Sequence, residues 1–447
     1  MTEVLRGVHV LVVGLATSGI AAARALIEEG ARVRVSEERS DPEGATTLRA
    51  LGVEVLTGGH APEHLAGIEL VVTSPGVPER APILTWALER GIVVWSELEL
   101  GARLTRAAYV AVTGTNGKST TTEMVASMMR ADGLDAIACG NIGYPLTVAA
   151  RETHDALAVE VSSFQLRFVD AFSPNVSVLL NLAPDHLDWH GTLDAYGDAK
   201  ARIFEHQRGD DVHVANRGDE SAAAISRRAT CRLVWFGLEE PGEDEVGYIG
   251  EELVSRLDGE VHLGRPPLDD DGFREDAAAS AAAALAFGLS AEGVGEGLRR
   301  MRPLAHRGEI VARPGDVPFV DNSKATNVHA TIATLRGRER VVLIAGGMAK
   351  GVDLSPLAAI GPQLAGVVAI GEAAPQISAL FEGVVPVRTA ASIEDAVREA
   401  YDLVPSDGTV VLAPACASWD MFTDYAERGD RFSAAARRLE QETLARG

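Results

Sequence analysis

The stretch YVAVTGTNGKST, residues 109–120, reads as a buried strand, a glycine-bearing loop and the opening of a helix. That order decides the fold class. The loop, Gly114, Thr115, Asn116 and Gly117, has glycines that let successive N–H groups surround phosphate oxygens. Lys118 then reaches toward the β- and γ-phosphates, and Ser119 or Thr120 offers a hydroxyl to Mg²⁺. The full nucleotide-loop pattern has glycine five positions before Gly117, where this chain has Val112, so the loop is a shortened variant.

Lysine usage gives that loop weight. Of 41 basic residues in the 447-residue chain only four are lysine: Lys118, Lys200, Lys324 and Lys350. Lysine offers a compact charge and an amine that can lose its proton, and arginine offers neither. Lysines kept in so arginine-rich a chain are expected where phosphate, metal or carboxylate is handled. A net charge of −23 argues against nucleic acid or an anionic membrane surface as a partner, and it obliges any anionic substrate to rely on local cations. The three cysteines, Cys139, Cys231 and Cys416, have no metal-binding spacing. With no signal-peptide pattern and no apolar stretch near the roughly 20 residues of a membrane span, a cytoplasmic protein without membrane insertion is expected.

Around the loop, the chain reads as three α/β blocks. The first has strands at 8–13, 32–35 and 69–73 and a helix at 20–29; its turn, Gly14 to Gly19, keeps only part of a dinucleotide fingerprint and reads equally as a phosphate site or a plain tight turn. The second continues through strands 156–161 and 176–181, hairpins between 239 and 271, an alanine-rich helix at 276–287 and a closing segment at 294–301. The third has strands at 341–345, 366–370 and Thr409–Leu412. Strands alternating with helices predict mostly parallel sheets. Boundaries are expected to give domains at 1–106, 107–303 and 304–447.

Two strand ends near the loop carry chemistry. Glu160 closes its strand where a Mg²⁺ ligand belongs. NLAPDHLDWHG, residues 181–191, has a density of His and Asp that suits metal or acid–base work.

With GNIG at 140–143, EVSSFQL at 160–166, AKARIF at 199–204, DNSKATN at 321–327, GGMAKGVDLSPL at 346–357 and APACASWDMFTDYAERGDRF at 413–432, the chain resembles the Mur ligases, ATP-dependent enzymes that form amide bonds. The resemblance implies an N-terminal Rossmann-like domain for the UDP substrate, a central P-loop ATPase domain with a mostly parallel sheet, and a C-terminal Rossmann-like domain that delivers the amino acid. It implies ATP as co-substrate, UDP-N-acetylmuramoyl-L-alanine as acceptor, D-glutamate as the incoming amino acid and a monomeric enzyme. By the same resemblance, Lys118, His186 and Lys200 are catalytic, with Lys200 carbamylated, and two Mg²⁺ ions fall to Ser119, Glu160, His186 and Lys200. Arg307 reaches ATP phosphate. The UDP substrate falls to Thr17, Glu37, Glu38, Arg39 and Asn141, and D-glutamate to Lys324, Thr326, Lys350, Ser418, Trp419 and Tyr425. The chain departs from the family pattern at Ala279, where an adenine-binding Asn is usual, at Asn322, usually Asp, and at Trp419, usually aliphatic.

Overall fold

A computed structural model of the chain describes residues 5–268, 270–302 and 304–445, and the backbone but not the side chain of Asp188. Pro303, at the expected second boundary, lies outside the described residues. Packing divides the chain into two compact units. One comprises residues 1–182, 189–269 and 273–301; the other comprises 183–188, 270–272 and 302–447.

The first unit holds two sheets. Five parallel strands form one, in the order Glu54–Thr57, Arg32–Glu37, His9–Val13, Leu70–Thr73 and Val93–Ser96. Its central strand is apolar and buried because helices cover both faces of such a sheet. The order reverses beside His9–Val13, so the turn after this strand sits at the point where α/β sheets bind ligands.

The other sheet has nine strands, ordered Val261–Gly264, Glu252–Ser255, Glu245–Ile249, Arg232–Phe236, Val212–Asn216, Val176–Leu179, Ala108–Thr113, Ala156–Glu160 and Ala136–Gly140. Antiparallel hairpins form the edge expected between 239 and 271, and the rest is parallel. The loop-bearing strand, Ala108–Thr113, lies between those ending near Glu160 and Asn181. Behind the loop, helix Lys118–Ala131 packs on Asp271–Ala286 and Ala291–Arg300 through small residues. A Cβ on Gly297 would stand 2.5 Å from Met128 Cα, so only glycine allows this approach.

The two sheets are joined by helix Glu97–Leu104, whose first turn is capped by the Ser96 hydroxyl. Its buried acids staple the halves together. Glu97 Oε1 accepts from the amide and hydroxyl of Thr147, both at 2.7 Å, while Glu99 accepts from the amides of Asp170 and Ala171 and from Arg103. Glu99 is thereby bonded through both oxygens, whereas Glu97 Oε2 is buried without a hydrogen-bond partner. Burial pushes the Glu97 carboxyl up from its ordinary pKa.

The second unit holds one six-stranded sheet, ordered Glu309–Ala312, Phe319–Asp321, Thr409–Leu412, Val341–Gly346, Leu364–Ile370 and Val387–Ala390, with only its first strand antiparallel. The loops after Asp321, Gly346 and Leu412 leave the same end of this sheet, and they carry the third-block motifs.

A buried imidazole in the nine-stranded sheet links stability to pH. His213 lies wholly buried between the hydroxyls of Ser177, at 2.7 Å, and Ser226, at 3.0 Å, and burial pushes its pKa down to about 3. The unfolded chain takes up this proton near pH 6.5 and the folded chain does not. The stabilisation is therefore complete above pH 6.5 and is lost as pH falls toward 3. The thermal midpoint of His213→Gln is expected to fall less steeply than wild type between pH 6.5 and 4, as read by calorimetry across that range.

Candidate active site

The phosphate loop is shaped from beneath. Gly117 has φ +85°, and a Cβ there would stand 2.1 Å from Asp276 Oδ1, so glycine is required by conformation and by space. The Thr113 hydroxyl donates to Val161 O at 2.8 Å. The amides of Thr115 and Asn116 both donate to Asn181 Oδ1, at 3.1 and 2.9 Å. Lys118 folds back, its ammonium donating to Gly114 O at 3.0 Å and Thr115 O at 2.9 Å. Lys200, 1% exposed on helix Leu193–Ala201, donates to the same Gly114 oxygen at 2.7 Å and lies over the Tyr196 ring. Two lysines 82 positions apart thus converge on one carbonyl. Ser119 and Thr120 follow in the first helical turn.

Glu160 is brought against Asn141. Its Oε1 accepts from Asn141 Nδ2 at 2.9 Å, and its main-chain oxygen accepts from the Asn141 amide. The other carboxylate oxygen, Oε2, is buried without a hydrogen-bond partner. Burying such an acceptor unsatisfied costs about 1–3 kcal/mol, and a hard cation removes that cost. This orphaned oxygen fits Mg²⁺, which favours carboxylate and water ligands.

At the N-terminal turn the expected substrate contacts are tightly engaged. Glu37 Oε2 accepts from the Leu15 amide at 2.5 Å, and Glu37 Oε1 accepts from the amide and Nε of Arg39, both at 2.9 Å. The Arg39 side chain, joined by the Arg39 and Leu15 amides, holds the Glu37 carboxyl down at about 2. Glu37 therefore braces the turn, whereas Glu38 and Arg39 are exposed and Thr17 opens helix Thr17–Glu28.

In the second unit, Lys324 lies 3.7 Å from the centre of the Tyr425 ring, and Lys350, at φ +53°, lies 4.7 Å from that of Trp419. Trp419 is 61% exposed, unusual for its size, while Ser418 is buried. Arg428, fully buried, ties these segments together by donating to Ser323 Oγ, Ser323 O and Cys416 O; burial lowers its pKa to about 10. His306 pairs with Asp321 at 2.7 Å, beside half-buried Arg307. Asn322 turns away to the Thr334 hydroxyl, leaving Asp321 to carry the carboxylate contacts. His186, at φ +53°, also belongs to this unit, where its amide donates to Asp185 Oδ1 and Asn327 Nδ2 donates to Asp185 Oδ2. Thr326 is half-buried in the loop after Asp321.

Three residues of the site carry no role in the sequence reading: Asn181, Tyr196 and Asp276. Asn181 ends a strand beside the loop just as Glu160 does, and that shared position is the signal that pointed to it. Ala279 is fully buried, so its side chain faces the interior, and Asp276 is the residue that meets the loop.

Family profiles match three successive regions. They are the Mur ligase MurD-like N-terminal domain at residues 8–96, the Mur ligase middle domain at 112–256, and the Mur ligase glutamate ligase domain at 306–416. The chain belongs to the Mur ligase family. Among relatives of this Mur ligase, the UDP-N-acetylmuramoylalanine–D-glutamate ligase of Frankia casuarinae is 44% identical, the match covering 97% of this chain and 95% of that one. The protein of the same name from Streptomyces avermitilis is 42% identical, with 97% and 99% covered. Two solved structures share the three-domain α/β fold. The pseudomurein peptide ligase type C of Methanothermus fervidus has TM-score 0.62, 17% identity and coverage of 98% and 100%. The UDP-N-acetylmuramate–alanine ligase of Thermotoga maritima has TM-score 0.61, 19% identity and coverage of 96% and 99%.

Gly117→Ala is expected to abolish ATP turnover, because the new methyl meets Asp276 and a left-handed residue costs about 1–3 kcal/mol outside glycine. ADP release by the purified variant checks this, with circular dichroism as the control for folding.

Proposed function

We propose that the chain joins D-glutamate to UDP-N-acetylmuramoyl-L-alanine, consuming ATP and releasing ADP and phosphate, in the cytoplasmic synthesis of peptidoglycan precursors. The convergence of Lys118 and Lys200 on the phosphate loop, beside the orphaned oxygen of Glu160, carries this reading. Relatives bearing that enzyme name at 37–44% identity over nearly the whole chain support it. Residues 1–106 hold the UDP portion, 107–303 hold ATP, and 304–447 deliver the amino acid, within one monomeric chain.

A carboxylate is a poor electrophile, so its oxygen first attacks the γ-phosphorus to give an acyl phosphate and ADP. Lys118 exchanges the carbonyls of its own loop for phosphate oxygens, and Arg307 adds a second cation. Catalysis of phosphoryl transfer is chiefly positioning and charge neutralisation. Ser119, Glu160, His186 and a carbamylated Lys200 are the residues to hold two Mg²⁺ ions, which supply charge neutralisation when bound. Carbamate formation joins the Lys200 amine to CO₂ with loss of a proton, chemistry open to a lysine amine and closed to arginine.

The α-amine of D-glutamate then attacks the acyl carbon, and phosphate leaves. Lys324, Thr326, Lys350 and Ser418 hold its two carboxylates, and Tyr425 and Trp419 seat the lysines. Thr17, Glu38, Arg39 and Asn141 face the acceptor, with Glu37 fixing the turn that they share.

Phosphate release is expected only when UDP-N-acetylmuramoyl-L-alanine and D-glutamate are both present. Uncharged analogues should turn over at least about a hundredfold more slowly, because a site built for two carboxylates leaves polar groups unpaired without them, and L-glutamate should do likewise because it cannot place both carboxylates and the amine at once. Comparable turnover with L-alanine or a diamino acid would assign a sibling ligase, and turnover with no amino acid a plain ATPase.

Lys200→Arg is expected to lose most activity while still binding ATP. Wild type incubated with ¹³CO₂ should show a carbamate carbon signal that Lys200→Arg lacks. Full turnover of Lys200→Ala at low CO₂ refutes the carbamate.

A further inference from the structure

We propose that Asn181 is the positioning residue of the phosphate loop: its side-chain amide holds the Thr115–Asn116 segment in its phosphate-binding shape before nucleotide arrives. Nothing in the reaction assigned above uses this residue. The inference rests on the reading of residues 114–120 as a nucleotide loop and adds to it the device that keeps a shortened loop in shape.

The contacts are two-sided. Asn181 Oδ1 accepts from the amides of Thr115 and Asn116, and Nδ2 donates back to Asn116 O at 3.3 Å. The Thr115 amide also reaches the main-chain oxygen of Asn181 at 3.1 Å. An amide oxygen has two lone pairs and here both are taken. The side chain thereby does for the loop what an extra peptide group would do. That suits a loop shorter than the usual nucleotide pattern, where Val112 stands in place of a glycine.

Asn181 is itself immobilised. The Leu180 amide donates to Thr113 O at 2.9 Å, and Asn216 Nδ2 donates to Leu180 O at 2.8 Å, so the segment is pinned from both neighbouring strands. The loop lies flat against it, since a Cβ on Gly114 would stand 2.8 Å from Leu180 Cβ. Asn181 is 8% exposed, which shields these bonds from water.

Two consequences follow for the loop. Thr115 and Asn116 direct their N–H groups to Asn181, so the anion is met by the amides that open the 14-residue helix Lys118–Ala131, where the helix dipole favours negative charge. Lys118 is the exchangeable member, bonded to loop carbonyls that phosphate displaces, and Asn181 is the fixed one. The residue must also be neutral. Aspartate would keep both acceptor positions, but it would place a negative charge beside the phosphates and could not donate to Asn116 O.

The test compares wild type with Asn181→Ala and Asn181→Asp. Losing an acceptor shared by two amides should raise the KM for ATP at least about tenfold in Asn181→Ala, with the KM for D-glutamate unchanged. Amide hydrogen exchange at Thr115 and Asn116 should quicken in the nucleotide-free Asn181→Ala chain and stay slow in Asn181→Asp. Asn181→Asp should bind ATP weakly at low salt and recover part of the deficit as salt screens the repulsion. A wild-type KM for ATP in Asn181→Ala overturns the proposal, as does unchanged exchange at the two amides. Equal rises in KM for all substrates, with a matching fall in thermal midpoint, also overturn it, because that pattern marks general damage. Should Asn181→Ala not fold, the exchange and salt dependence of Asn181→Asp decide alone. Wild type lacking ATP-dependent turnover would instead refute the ligase reading and leave the exchange result to judge Asn181.

Discussion

One carbonyl oxygen, that of Gly114, accepts hydrogen bonds from the ammonium groups of both Lys118 and Lys200. Like charges repel strongly where water is excluded, and Lys200 is almost completely buried. The proposed carbamate on Lys200 would relieve that repulsion and leave Lys118 as the cation of the loop. The rest of the first unit serves this point. Gly117 gives way to Asp276, Asn181 grips the bend, and Glu160 leaves an oxygen open nearby on the neighbouring strand. In a chain of net charge −23 any pull on an anion has to be local, and Lys118 supplies a cation at the loop itself.

In the second unit, by contrast, cations are held ready by aromatic faces. Lys324 rests on Tyr425 and Lys350 on Trp419, each pair joining a loop from one strand end to the segment 419–425. A ring face attracts an ammonium without neutralising it. Arg428 spends its donors on carbonyl and hydroxyl oxygens within the same cluster. Its burial is tolerable because each of those bonds is made.

Much of this was legible in the sequence where the signal is local. Strand, loop and helix around Gly117 follow from residue type and order, as do the hairpins after residue 239. Strands Glu54–Thr57 and Val387–Ala390 escape such reading, being four residues long and partly exposed, with no continuous apolar run. Glu37 shows the limit at the site: an acid at a strand end is visible, but its capture by Leu15 and Arg39 is not. Asn181 shows it again, since its partners lie 65 and 66 positions away. Trp419 stood out by size alone, and only its position over Lys350 gives that size a purpose.

The helix behind the loop has neighbours that leave it no slack. Ser280 donates to Thr121 O across one seam, with alanines 277–279 and 281–284 fully buried beside it, and Gly297 meets Met128 across the other. Close-packed small side chains have few alternative rotamers, so the three helices behave as one stiff rod bundle. Nucleotide is therefore met by a loop whose helix has no room to shift against Asp271–Ala286 or Ala291–Arg300.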